Sequence, residues 1–394
     1  MSIYDDLGIR TIINAKGPST RVSGALLAPE VTAAMAEAAT YCVDMTDLQA
    51  GASKIIAEIT GAEGGIVTAG AAAGLLLGTA ACVAGLDPGK MARLPDTAGM
   101  KNEVIMVRSQ RNFYDHAIRA TGVKIVEVGL PDRVAGAGVR DAEGWEIADA
   151  ITPATAAVVY VMNGSARPSL DDVIRAAHGK NVPVLVDAAA QLPPVSNLKK
   201  FIAAGADLVA FSGGKAIGGP QGSGILCGKR DLIMSAVLQH LDLDIEWAQW
   251  QPPANLIDKD RLVGLPPHGI GRTCKVGKET VAGLLVALRR FVAQSDEARR
   301  TIYLARVEKL AQELARMRNA SVSIRDGMVP KLAIIVNPNM GKSTMEICLA
   351  LQSGNPAVYM DPGQAAGGIL VVNPTALRDA DLPALAQRLR DVIG

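Results

Sequence analysis

Between residues 100 and 215 the chain alternates short, almost wholly apolar runs with amphipathic stretches. The runs are EVIMV (103–107), KIVEVG (124–129), TAAVVYVM (155–162), VPVLVDA (182–188) and DLVAFSG (207–213). An apolar run with no polar alternation is what a strand covered on both faces requires, and strands separated by helical stretches predict a mostly parallel sheet. SLDDVIRAAHGKN (169–181) reads as one connecting helix, with Ser169 as its N-cap. After residue 275 the pattern changes. Residues 278–317 predict one long helix, followed by the strand-like KLAIIVN and GGILVVN and a last helix in RDADLPALAQRLRDVIG. The expected architecture is therefore α/β, with an N-terminal segment (1–60), a large α/β domain (61–275) and a smaller C-terminal α+β domain (276–394).

One stretch invites a different reading. GIVTAGAAAGLLLGTAACVAGL (65–86) carries no charge over a length that would span a bilayer. Its residues are mostly Ala and Gly, which contribute little transfer energy, so a helix buried inside the domain is the better expectation, and no membrane partner is expected.

Composition narrows the class of function. The chain has 394 residues, ample for a sizeable core, and its 40 basic and 39 acidic residues leave a net charge of +1. No basic cluster marks a nucleic-acid footprint, so a small-molecule partner is expected. Cys42, Cys82, Cys227, Cys274 and Cys348 are scattered without CxxC spacing, an odd set that argues against a disulfide framework and for a reducing, cytoplasmic location. The start, MSIYDDLGIRTIIN, lacks the basic and apolar regions of an export signal.

Two stretches imitate nucleotide motifs. NMGKST (339–344) has the Gly-Lys-Ser tail of a phosphate-binding loop, but the first glycine of that loop falls on Val336. Lys215 is followed by Ala216 where such a loop needs a hydroxyl, and GSGILCG does not match GxGxxG. His116, His178, His240 and His268 lack metal-ligand spacing, and His178, inside a predicted helix, reads as structural.

The residues that carry chemistry lie elsewhere. Lys215 stands among glycines in ADLVAFSGGKAIGGPQGSGILCG (206–228), just after an apolar run. Asp187 closes the buried strand in VPVLVDAAAQLPP, where an unpaired carboxylate is costly and must meet a cation or strong donor. Ligands of parallel sheets bind outside the carboxyl ends of the strands, which directs both residues to one crevice. TAGAAAGLLLG adds a helix start with free backbone N–H groups and small side chains, suited to a phosphate. Together they fit pyridoxal 5'-phosphate (PLP): a lysine for the Schiff base, an aspartate for the pyridinium nitrogen, a helix N-terminus for the phosphate. The competing reading is a surface lysine in a loop and an aspartate capping a helix. The order of phosphate helix, aspartate and Ser-x-x-Lys favours the cofactor.

With these residues in view, the chain resembles the fold type I, aspartate aminotransferase-like PLP enzymes. More narrowly it resembles the selenocysteine synthase-like family, which includes L-seryl-tRNA(Sec) selenium transferase and D-glucosaminate-6-phosphate ammonia-lyase. The resemblance rests on IINAKGPSTRVSGALLAPEVTAAM, DLQAGASKIIAEITGAEGGIVTAGAAAG, VLVDAAAQLPP, the glycine-rich lysine segment and GIGRTCKVGKETVAGLLVAL, nearly the whole chain. It implies that Lys215 forms the Schiff base and then moves protons, that Asp187 pairs with the pyridinium, and that Ser212 binds the phosphate beside the amides of Gly70, Ala71 and Ala72. It implies Ala189 against one face of the ring, with Gln110, Tyr114 and His116 competing for the other. Arg272 is a candidate for a substrate carboxylate or the cofactor phosphate, with a helix-capping or surface role as the alternative. Asn14, Thr20 and Arg21 belong to a segment that in this fold commonly reaches an active site shared between subunits, which makes Thr20 and Arg21 substrate-binding candidates and implies a homodimer or higher homo-oligomer.

The activity implied is that of a PLP-dependent lyase, taking the α-proton of a small amino acid or amino sugar acid and eliminating a β-substituent to give a 2-oxo acid. Racemisation, aldol cleavage or selenocysteine synthase-like transfer begin similarly. A binding protein without turnover has no need of a Schiff-base lysine. Two departures from the relatives matter: IINAKG begins at residue 12 and charge is balanced, so a tRNA substrate is not expected. A second phosphate would want extra cations, for which Arg21, Arg111 and Arg167 are the candidates.

Overall fold

A computed structural model describes residues 2–130, 141–164 and 166–394. The chain divides into two compact units. One is Leu27–Val292, the other combines Met1–Leu26 with Ala293–Gly394. The sequence reading drew its boundaries at residues 60 and 275.

The larger unit is built on a seven-stranded sheet. In spatial order its strands are Gly64–Thr68, Gly224–Gly228, Leu208–Ser212, Val184–Asp187, Thr155–Val161, Glu103–Val107 and Lys124–Val128. The last five run parallel, and Gly224–Gly228 is antiparallel to both of its neighbours. Successive residues of the central strands feed two separate cores. Val184, Val186, Val209 and Phe211 face one side with Ile56, Val173, Phe201 and Leu284. Leu185, Leu208, Ala210 and Leu226 face the other with Leu75, Leu77, Val237 and Leu238. Both faces are thus dry, which is why these strands read as continuous apolar runs.

The 65–86 stretch is not a single helix. Gly64–Thr68 is an edge strand, a turn follows at Ala69 and Gly70, and the helix spans Ala71–Ala84. A run of Ala and Gly blurs the boundary, because neither residue carries a strong strand or helix period. That helix is buried nearly all round and lies close to the sheet through glycines. A Cβ on Gly78 would meet Leu185 at 3.2 Å, and one on Gly74 would meet Ala210 at 3.4 Å.

The edge strand is completed by side chains. Gln49, buried on the helix Met45–Thr60, donates to Val67 O and accepts from Val67 N, both at 2.9 Å. Ser53, one turn further on, accepts from Gly65 N at 3.1 Å. Helix spacing i, i+4 here supplies the outward hydrogen bonds a neighbouring strand would give at i, i+2, so the edge is satisfied without another strand.

In the second unit the strands Ala320–Arg325, Lys331–Val336 and Ile369–Val372 form an antiparallel sheet with Lys331–Val336 in the middle. A short parallel pair joins Ile12–Asn14 to Ala357–Tyr359. Leu310, Leu332, Ile334, Val358, Leu370, Leu385 and Leu389 make its core. The predicted 278–317 helix is two helices, Lys278–Ala293 and Asp296–Leu314. Ser295 caps the second by accepting from Ala298 N at 3.1 Å, with Asp296 and Glu297 in its first turn, so a helix-start signal interrupts an otherwise continuous apolar period. In NMGKST, Ser343 is likewise an N-cap, in a capping box with Glu346. No described helix is long and apolar enough to cross a membrane.

Candidate active site

Strand register brings the predicted residues to one edge of the sheet. Asp187 pairs with Ala210 on the next strand, which ends two residues later at Ser212. Ser212 pairs with Gly224, and Gly224 pairs with Thr68 at the end of the edge strand. Asp187, Ser212 and Thr68 therefore close three strands on the same side, and the chain runs from them into the Ala189 turn, the Lys215 loop and the Gly70 turn. That is the carboxyl-end crevice where α/β sheets take ligands.

Close packing explains the glycines around Lys215. A Cβ on Gly213 would fall 2.3 Å from Ser223 Oγ and 2.5 Å from Leu284 Cδ1, and one on Gly214 would fall 2.6 Å from Gln221 Cα. Gly213 N donates to Ser223 O (2.8 Å) and Gly219 N to Gly213 O (2.9 Å), tying the loop back on itself. Lys215 is thus carried by a tight, packed turn and is itself half-buried.

The helix start at Gly70 has the backbone chemistry of an anion site. Gly70 sits at φ +94°, in a region only glycine occupies readily, and no side chain caps the helix. The first intrahelical amide is Gly74 N, bonded to Gly70 O at 3.2 Å, so the amides of Ala71, Ala72 and Ala73 precede the ladder. Gly224 makes room for this turn: a Cβ there would come within 2.4 Å of Gly70 C and 2.6 Å of Ala71 N. Sequence reading missed Gly224, whose only signal was a glycine opening the strand after the lysine loop.

Electrostatics mark the same two side chains. Asp187 is buried, 8 % exposed, and accepts from Ala189 N at 3.0 Å. Burial pushes its carboxyl above the usual range, against the pull of that amide and of the Lys215 charge. Burial likewise lowers the Lys215 ammonium, with the Asp187 charge opposing. Among the described residues neither forms an ion pair. A buried acid without a paired cation and a partly buried amine without a paired carboxylate, beside an uncapped helix start, fit a ligand with a basic ring nitrogen, a carbonyl and a phosphate.

The remaining candidates fall in different surroundings. Ala189 follows Asp187 in the turn its amide closes. Gln110 is buried and commits both ends of its amide to backbone, donating to Arg167 O (3.3 Å) and accepting from Val161 N (2.9 Å). Tyr114 and His116 are exposed, and His116 Nδ1 lies 3.0 Å from Arg119 Nη2. Arg111 is joined to Asp115 at 2.6 Å and to Glu127. Arg272 is held by Asp242 Oδ2 at 3.0 Å and by His240 O at 3.3 Å. His178 pairs with buried Asp207 at 2.7 Å, at the opposite, amino end of the strands. Asn14, Thr20 and Arg21 belong to the second unit.

Fold and crevice together define a class, the fold type I PLP-dependent enzymes. Within it, the chain belongs to the L-seryl-tRNA selenium transferase family, whose profile matches residues 19–243. It is 31% identical over 405 residues to a 5'-C-glycyluridine monooxygenase-decarboxylase from Streptomyces sp, covering 99% of this chain and 92% of that one. It is 28% identical over 404 residues to the D-glucosaminate-6-phosphate ammonia lyase of Salmonella typhimurium (strain 14028s / SGSC 2262), covering 99% and 98%. A solved structure of D-glucosaminate-6-phosphate ammonia-lyase superposes with a TM-score of 0.84 at 28% identity, covering 100% of this chain and 98% of that one. The family implies PLP as cofactor.

Proposed function

We propose that this protein is a PLP-dependent lyase that removes the α-proton of a small amino acid or amino sugar acid and expels a β-substituent, leaving an enamine that water converts to a 2-oxo acid and ammonia. The observation that carries the reading is the convergence of Asp187 and the Lys215 loop at one edge of the sheet, each side chain without an ion-pair partner among the described residues. PLP, when bound, draws electrons from the substrate's α-carbon. Asp187 would hold the proton on the ring nitrogen, a positive charge that would offset the cost burial places on its carboxylate. Ser212 and the amides of Gly70, Ala71 and Ala72 would hold the phosphate, and Ala189, in the turn after Asp187, would border the cofactor. Lys215 Nζ would hold the cofactor through its carbonyl carbon, and as a free amine would take the proton from the substrate's α-carbon. Its lowered pKa suits a base that must be neutral to accept it. Gln110, joined to the backbone at Val161 and Arg167, serves the cofactor by fixing the loop that leads to Tyr114 and His116.

The likeness to a relative named as a monooxygenase-decarboxylase favours a second reading, in which the bond broken at the α-carbon is that to its carboxylate. One experiment separates them. The purified protein is incubated with β-substituted amino acids and amino sugar acids while 2-oxo acid, carbon dioxide and oxygen uptake are followed. The lyase reading expects 2-oxo acid and a leaving group without oxygen uptake, and an absorption band that disappears in Lys215→Ala. Carbon dioxide with oxygen uptake gives the second reading. A protein that takes up no PLP overturns both.

A further inference from the structure

The unit formed by Met1–Leu26 and Ala293–Gly394 contains a cavity of about 460 Å³ of its own, within the range of small-molecule sites. Its charged lining is three guanidinium groups, Arg10, Arg21 and Arg378, against one carboxylate, Asp381. Two of the three are occupied. Arg10 donates to the carbonyls of Gln352, Ser353 and Gly354 at the end of the helix Thr344–Ser353, and Arg378 is bound to Asp381 at 2.7 Å. Arg21 forms no ion pair among the described residues; its guanidinium carbon lies 5.5 Å over the ring of Tyr359.

The position of Arg21 is built rather than incidental. Asn14 is buried, and its side chain donates to Gly17 O (3.0 Å) and Val22 O (3.4 Å) and accepts from Lys16 N (3.0 Å) and Gly17 N (3.2 Å). These bonds fold residues 16–22 into the turn that presents Arg21. Asn14 is also the register partner of Tyr359 in the short parallel strand pair. One buried amide therefore sets both the turn that carries the guanidinium and the strand position of the ring beneath it. Gly17, at φ +93°, packs against Asn373, which leaves no space for a side chain there. Around this cation the walls are apolar, with Tyr4, Ile9 and Leu26 each more than half exposed.

We propose that this cavity is a binding site for a small organic anion, a carboxylate or phosphate carried on a flat or aliphatic body. The anion meets the Arg21 guanidinium, which suits either oxyanion with paired N–H donors, and the body covers the apolar wall. Stacking on Tyr359 holds the guanidinium in place before the ligand arrives, which lowers the ordering cost of binding. The inference does not rest on the lyase reading.

Calorimetric titration of the full-length protein tests it with four probes: benzoate, phenyl phosphate, inorganic phosphate and neutral benzyl alcohol. Benzoate or phenyl phosphate should bind at least tenfold more tightly than inorganic phosphate and benzyl alcohol, and which of the two wins identifies the oxyanion. Arg21→Met should weaken that binding at least tenfold. Tyr359→Leu, which keeps the charge but removes the ring under it, should weaken it several-fold. Lys215→Ala should leave it unchanged, so the site and the lyase chemistry stand or fall separately. Thermal melting accompanies each variant to confirm folding. Equal affinities in wild type and folded Arg21→Met, equal binding of benzyl alcohol, or no binding of any probe to the wild type would overturn the proposal.

Discussion

Gly224→Ala isolates the phosphate cradle from the rest of the site. The added methyl would lie 2.4 Å from Gly70 C and 2.6 Å from Ala71 N, both backbone atoms that no rotamer change can move aside. Ordinary contact begins at 3.4 Å, so the start of the helix must retreat by about 1 Å. A hydrogen bond from those amides to a phosphate oxygen spans about 2.9 Å, and lengthening it by that much abolishes it. With bonds to charged groups worth about 1.5–3 kcal/mol, loss of one predicts roughly a 10- to 150-fold weaker hold on PLP. Overpacking itself costs roughly 1–3 kcal/mol and lowers the melting temperature by a few degrees. The assay is titration of cofactor-free protein with PLP and, in parallel, with pyridoxal, which has no phosphate. Gly224→Ala should lose affinity for PLP and little for pyridoxal. Gly74→Ala, whose new methyl would meet Ala210 at an acceptable 3.4 Å, is the comparator and should bind both as wild type does. A folded Gly224→Ala protein with wild-type PLP affinity, or one that loses both ligands equally, would show that the helix start does not hold the phosphate.

Three further outcomes follow from particular contacts. Gln49→Leu leaves Val67 N and O without their side-chain partners on a buried edge, so stability should fall by about 1–3 kcal/mol in denaturant titration and PLP affinity should fall with it; an unchanged midpoint would refute the edge-strand role. Asp187 has a folded pKa above its unfolded value of about 3.9, so its ionisation is a stability cost that is absent below that pH and grows as pH rises above it. Asp187→Asn should therefore raise the melting temperature of cofactor-free protein at pH 8, give no gain at pH 3, and remove PLP binding; a lower melting temperature at pH 8 would contradict this. Burial opposes ionisation of Asp207, but Lys229, His178 and the Val184 amide more than offset it and hold its pKa below the usual range. Its contribution is present above about pH 3.9 and is lost as pH falls below that value, so the deficit of Asp207→Asn, roughly 1–3 kcal/mol at neutral pH, should shrink on acidification, as urea titrations at pH 3 and pH 7 would show.

What could be read from the sequence was whatever depends on neighbours along the chain. The runs at 103–107, 155–161 and 208–212 declared themselves because both faces of their strands are dry, and Ser169 marked a helix start because an N-cap acts within three residues. Ser295 gave the same local signal and was overridden by a longer apolar period that continued past it. Features set by distant residues left no such trace. Gln49 resembles any helix glutamine until Val67 is placed beside it, and Arg272 reads as a candidate for a substrate carboxylate or the cofactor phosphate until Asp242, thirty residues away, is seen to accept a hydrogen bond from it. The glycines near Lys215 show the limit most clearly, since the same letter serves two physical ends. Gly70 is required by its dihedral angle, whereas Gly213, Gly214 and Gly224 are required by atoms of other segments that would collide with a Cβ. Alanine at Gly70 would strain a turn with nothing within 4 Å of it, and alanine at Gly224 would strain nothing locally but displace a neighbouring helix. The lysine loop is glycine-rich because three chain segments must converge on a small volume at one sheet edge, and only the pairing of strands reveals which segments they are.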